Sequence, residues 1–159
     1  MKQPQGFTLV ELVVVIALAG IMIAVATPRF ANGDIFETRG DAGLLSSTLR
    51  YAQKTAIAQR RQVFAITDTV AQPTTVRLCF VSDPNCPLAQ AVINPETDGP
   101  YVMTFSKNVI VNPSNNNLGF NALGQAVPTN EAASYVVTNK KNNTQTITVN
   151  IEADTGYIR

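Results

Sequence analysis

Histidine and tryptophan are absent from the 159 residues, cysteine occurs twice, and only 14% of positions carry a charged side chain. The lack of histidine removes the commonest general base, the commonest zinc ligand and every Ser/His/Asp or Cys/His nucleophilic arrangement. Two cysteines are too few for a Cys-rich zinc site. A formal net charge of +1 argues against a broad nucleic-acid surface, although a local basic patch escapes such an average. The length suits one domain with a sizeable core and an appendage, and leaves no room for two catalytic domains. These absences point away from an enzyme, and no catalytic residue, metal ligand or cofactor is assigned.

Charge is also scarce in one particular stretch. From Phe7 to Ala26 the chain reads FTLVELVVVIALAGIMIAVA, and its one charge is Glu11. Twenty helical residues rise about 30 Å, the thickness of a bilayer's hydrocarbon core. The leader MKQPQG precedes it, and Lys2 with the amino terminus gives a weak bias toward a cytoplasmic N-terminus.

A simple membrane anchor leaves Glu11 unexplained, because a carboxylate at depth costs roughly 2.5–3.5 kcal/mol on insertion scales unless it is paired. A secretory signal peptide cut after Ala24-Val25-Ala26 would release a soluble periplasmic protein starting at Thr27. Against it stand the acidic residue in the apolar run and a run longer than the usual ~7–15 residues.

The segment Gly6-Phe7-Thr8-Leu9-Val10-Glu11 resembles the start of type IV pilins and pseudopilins, which have a short basic leader ending in Gly, then Phe, then Glu as the fifth mature residue. The resemblance implies cleavage between Gly6 and Phe7 by a prepilin peptidase, N-methylation of Phe7, and retention of the helix. It implies a single-pass inner-membrane precursor with a periplasmic head, later built by an assembly platform into a filament of pilin or pseudopilin subunits. Cleavage creates an ammonium on Phe7 that Glu11 of a staggered neighbour can meet. Two costly charges then cancel only in register, which makes Glu11 an assembly check. The helix dipole also favours an anion in this first turn.

Beyond the span, Pro28 predicts a kink or local melting, and Gly33 and Gly40 loosen the helix further. From Asp41 the pattern recovers: Leu45, Leu49, Ala52 and Ala56 form an apolar stripe, with Arg50, Lys54 and Arg60 largely off it. After Gln62 the runs alternate or are β-branched, with strands expected at Gln62–Thr67, Thr75–Val81, Tyr101–Phe105, Val109–Val111, Ser134–Thr138, Gln145–Glu152 and Gly156–Arg159. Turn chemistry separates them, notably Asp98-Gly99-Pro100 and Asn112–Asn117, and Asp154-Thr155-Gly156 suggests a terminal hairpin. The expected fold is α+β, the type IV pilin fold: a long N-terminal helix, apolar and protruding first, amphipathic and packed later, on an antiparallel sheet. Its expected parts are a leader at 1–6, a membrane and filament-core helix at 7–28, an amphipathic helix at 29–61 and a β-rich head at 62–159.

LRYAQKTAIAQRR at Leu49–Arg61, the strand QVFAI and the final TVNIEADTGYIR look like the H-type branch of minor pseudopilins of type II secretion and FimT minor pilins. Within it, Pro28-Arg29-Phe30 and Leu49–Arg61 are most like minor pilins of the mannose-sensitive haemagglutinin pilus. The implied role is a minor subunit that initiates, caps or modifies a filament, the alternative being a minor pseudopilin serving protein export.

Cys79 and Cys86 flank a turn, and outside the cytoplasm they can form a disulfide; the other reading is a buried free Cys79 on a strand with an exposed Cys86. Their central position, away from the C-terminal region that many major pilins staple, favours a minor subunit. Some FimT-type pilins bind DNA, which would make Lys140, Lys141 and Arg159 a phosphate-binding patch. Two lysines in an Asn-rich loop with no aromatic platform read more simply as solvated turn residues, so a nucleic-acid partner is not favoured. Asn142-Asn143-Thr144 matches a glycosylation sequon by coincidence. Asp83, Glu96, Asp98, Glu152 and Asp154 show no calcium-loop spacing, so no metal site is expected.

Overall fold

The computed structural model describes residues 7–30, 33–128, 132–141, 143 and 145–159. The chain divides into two units, Met1–Gly33 and Asp34–Arg159.

In the first unit, helix α1 spans Leu9–Phe30. It is apolar on all sides, so no face is preferred for packing. Pro28 lies within α1, and residues 31 and 32, between α1 and the next helix, lie outside those described.

Helix α2, Gly33–Gln59, opens the second unit from Asp34 onward. Here the structure corrects the expectation that glycine loosens the helix until Asp41, because α2 runs straight through Gly40 and Gly43. Each glycine costs about 1 kcal/mol in a helix interior, and tertiary bonds at Thr38 and Asp41 offset that cost. Asn139 Nδ2 donates to Thr38 Oγ1 at 3.3 Å, and Ser106 donates to Asp41 through its backbone N–H at 2.8 Å and its hydroxyl at 3.2 Å. At the other end Arg60 takes a left-handed φ of 51°, while Arg61 N–H bonds the Ala56 carbonyl and Arg60 N–H that of Ile57. This closes the helix with a Schellman turn.

Eight strands follow: β1 Val63–Asp68, β2 Thr75–Cys79, β3 Val102–Thr104, β4 Val109–Pro113, β5 Asn117–Phe120, β6 Ala126–Val127, β7 Ala133–Asn139 and β8 Thr146–Ile151. All pair antiparallel, but in two sheets instead of one, ordered β3-β2-β1-β5-β6 and β4-β7-β8. Strands β5 and β6 replace residues read as loop or left unassigned; β5 is short, contains Gly119 and is defined by its pairing with β1. The segment 156–159 makes one bridge, Ile151 to Ile158, and reciprocal backbone bonds between Asn150 and Arg159, instead of a full strand. Three described edges are blunt, β3 and β6 having three and two residues and β4 ending at Pro113, which has no N–H, while the fourth, β8, has six residues and is covered only near its end by Ile158 and Arg159.

The stripe Leu45, Leu49, Ala52 and Ala56 is buried as expected, packed with Val63, Ala65, Leu78 and Met103 of one sheet and Val109, Tyr135 and Val149 of the other. Truncating such a leucine to alanine typically costs 2–5 kcal/mol. Alternation along β1 sends Val63 and Ala65 to this core and Phe64 and Ile66 to the opposite face. There they form a smaller cluster with Cys79, Val81, Cys86 and Val127.

Candidate assembly helix and neighbouring surfaces

At the start of α1, the Glu11 N–H donates to Thr8 Oγ1 at 3.2 Å. Thr8 is therefore the N-cap, with Glu11 at the third helical position, the spacing of a capping box. The sequence reading placed Glu11 near the helix dipole but missed this cap, although Thr-x-x-Glu was there to be found. Satisfying that N–H locally matters most in lipid, where water cannot do so. Phe7 is exposed, Gly6 lies outside the described residues, and Leu9–Ala26 is an 18-residue apolar segment with none of its residues buried. Its length, about 27 Å at helical rise, suits a bilayer.

Cys79 and Cys86 form a disulfide, with Cα atoms 5.8 Å apart, and no described cysteine is free. The bridged loop folds over Phe64 and Ile66. Arg61 clamps it from the α2 side: its guanidinium lies 3.7 Å from the Phe80 ring centroid and donates to Gln90 Oε1 at 3.2 Å.

The three basic residues considered for a phosphate patch are not brought together. Lys140 and Lys141 begin the β7–β8 turn, whereas Arg159 pairs with Asn150 toward the far end of β8 and sits 3.9 Å from Glu152. Lys140 Nζ ties two turns, donating to Gln72 Oε1 at 3.0 Å and to the Lys107 carbonyl at 2.7 Å. Arg39 and Lys107, which sequence reading did not single out, share the end of the head where the lysines lie. Only non-local pairing places them there.

The carboxylates serve turns: Asp83 Oδ1 accepts from Asn85 N–H, and Glu152 Oε2 from the Thr155 hydroxyl. Among the described residues no three His, Cys, Asp or Glu side chains gather as metal ligands. Asn142 and Thr144 of the sequon lie outside the described residues.

Residues 1–27 match the prokaryotic N-terminal methylation motif. The chain is 30% identical over 69 residues to the type IV narrow pilus major component PilA5 of Thermus thermophilus, a match covering 43% of this chain and 60% of that protein. The chain thus spans about 60% of the curated relative it matches. Among solved structures, the type IV minor pilin FimU of Pseudomonas aeruginosa aligns with a TM-score of 0.57 at 16% identity, covering 77% of this chain and 87% of FimU. The minor pseudopilin EpsH of the type 2 secretion system of Vibrio cholerae aligns with a TM-score of 0.58 at 11% identity, covering 77% and 94%. The N-terminal segment thus carries the methylation motif, and the fold is that of these minor pilin and pseudopilin structures.

Proposed function

From a chain with a type IV pilin motif and fold, we propose a minor pilin that is cut between Gly6 and Phe7, N-methylated on Phe7, and built into a filament to initiate, cap or modify it. The observation that carries this is α1: an exposed apolar span whose single carboxylate, Glu11, sits in a capped first turn. Such a helix requires cover, first from lipid and then from the helices of other subunits. Glu11 sets their register through the Phe7 ammonium of a neighbour. The expected topology is a cytoplasmic leader, a membrane helix over 7–28 and a periplasmic head, with prepilin peptidase and the assembly platform as successive partners. The Cys79–Cys86 bridge suits an oxidising compartment.

The finer reading is a minor subunit like those of the mannose-sensitive haemagglutinin pilus. The likeness to EpsH supports a second one, a pseudopilin of type II secretion, which shares the same assembly chemistry.

Mass spectrometry of the mature N-terminus tests the processing step: N-methyl-Phe7 is expected, and a chain starting at Thr27 overturns it. Glu11→Val should leave membrane insertion unchanged and reduce recovery in sheared filaments at least about tenfold, the effect of losing roughly 1.4 kcal/mol of pairing. Normal recovery would remove the registration role. Deleting the gene and scoring piliation against protein export separates the two filament types.

A further inference from the structure

The start of α2 and two turns of the head share one end of the second unit. Asn139 reaches Thr38, Asn108 Nδ2 donates to Glu37 Oε2 at 3.3 Å, and Lys140 Nζ holds the Lys107 carbonyl. Arg39, Lys107, Lys140 and Lys141 are all exposed there. Arg39 also borders a cleft of about 200 Å³ with Gln145, Thr146 and Ile147. Among the described residues, carboxylates toward this end are Glu37, which accepts from Asn108, Asp41, which is buried and holds Ser106, and Asp68, which caps the turn carrying Gln72 and pairs with Arg77. Phe36, one turn before Arg39 on α2, is 72% exposed.

We propose that this end of the head docks on anionic phospholipid headgroups of the membrane that α1 spans. The proposal rests on reading α1 as a membrane helix. Eight residues join Ala26, the end of the span, to Ile35, so the chain itself limits their separation to about 30 Å even when fully extended. The tether thus keeps Ile35 within reach of the bilayer, and docking is the step that would bring the cations inside the range of its surface charge. Basic side chains within a Debye length of about 8 Å are attracted to anionic lipid. An exposed aromatic ring finds its preferred depth at the boundary of headgroup and acyl chain. A duplex phosphate backbone offers the same charge but no apolar layer for Phe36, which favours lipid over nucleic acid. Docking holds the precursor's head against the membrane until filament contacts replace it.

The test is hydrogen exchange on the full chain in nanodiscs of phosphatidylcholine alone or with about 30% phosphatidylglycerol as the anionic lipid. Amides of residues 107–109 and 139–141 should exchange at least about threefold more slowly in the anionic discs, and the difference should vanish in high salt. R39Q/K107Q/K141Q should abolish it while exchange in β1 and β2 stays as in the parent, which reports an intact fold. Lys140 is retained because it bonds two turns. K54Q, elsewhere on α2, should keep the lipid effect. Equal exchange in both lipids overturns the proposal, as does equal protection by duplex DNA in neutral discs. A chain that enters neither disc overturns the membrane-helix reading, and this proposal with it.

Discussion

The ring of Phe64 lies over Gly119, its direct cross-strand partner: a Cβ built at 119 would fall 2.6 Å from Phe64 Cδ1. The aromatic ring fills the space that the missing side chain leaves on the outer face of the larger sheet.

Gly119→Ala should therefore displace the ring and disturb its packing with Ile66 and the disulfide loop. A loss of about 1–3 kcal/mol is expected, the usual cost of overpacking. Urea denaturation checks it, and Phe64→Leu in the same chain should recover part of the loss. Additive losses in the double mutant would show that the two positions do not act on each other.

A second close approach occurs where Gln53 Nε2 donates to the carbonyls of Gly124, Thr155 and Gly156, at 2.8, 3.1 and 3.1 Å. Gly156 has φ +62°, and a Cβ there would collide with the Gly124 carbonyl oxygen. Gly156→Ala should cost more than about 2 kcal/mol, combining strain with the loss of Gln53's acceptors. Thermal unfolding measures this; an unchanged midpoint would mean that the turn re-forms elsewhere.

Opening the Cys79–Cys86 loop by replacing both cysteines with alanine should lower stability by about 2.5 kcal/mol, the loop-closure value for so short a ring. The parent treated with reductant should fall to the same midpoint in denaturant. A double mutant as stable as the oxidised parent would show that packing alone holds the loop on Phe64.

Tyr135 is fully buried on β7, and burial pushes its phenol up to about 12, with the nearby Thr67 hydroxyl pulling weakly the other way. Neither hydroxyl makes a hydrogen bond of ordinary geometry. The folded chain holds this proton more tightly than the unfolded chain, so its contribution is fully present below about pH 10 and is lost as pH rises toward 12. About 2–3 kcal/mol should disappear across that window. Tyr135→Phe should flatten this part of the pH profile and leave stability at pH 7 equal or higher, since an unpaired buried hydroxyl is removed. Denaturant midpoints at pH 7, 10 and 11 for both chains decide the matter.

The local parts of this fold were legible as sequence. The apolar run with one carboxylate needs only composition, and the stripe Leu45, Leu49, Ala52 and Ala56 needs only helical period; all four are buried. What escaped depends on partners distant in the chain. Strand β5 exists through β1, some fifty residues earlier. The helix survives Gly40 because Ser106 and Asn139 hold its first turns. Lys140 and Arg159 look like neighbours in composition, yet the length of β8 stands between them. Thr8 is the exception, a local signal overlooked because attention fell on the charge three residues later.

The blunt edges of the two sheets bear on how copies of the head behave when concentrated. Pro113 closes one rim against a further donor, and strands of two or three residues give an incoming chain too little to zip onto. At these three edges, heads crowded shoulder to shoulder can touch through side chains without exchanging strands, and the longer edge, β8, is shielded near its end by Arg159. Contacts between heads at those edges stay reversible, so in the proposed filament permanence must come from the helices.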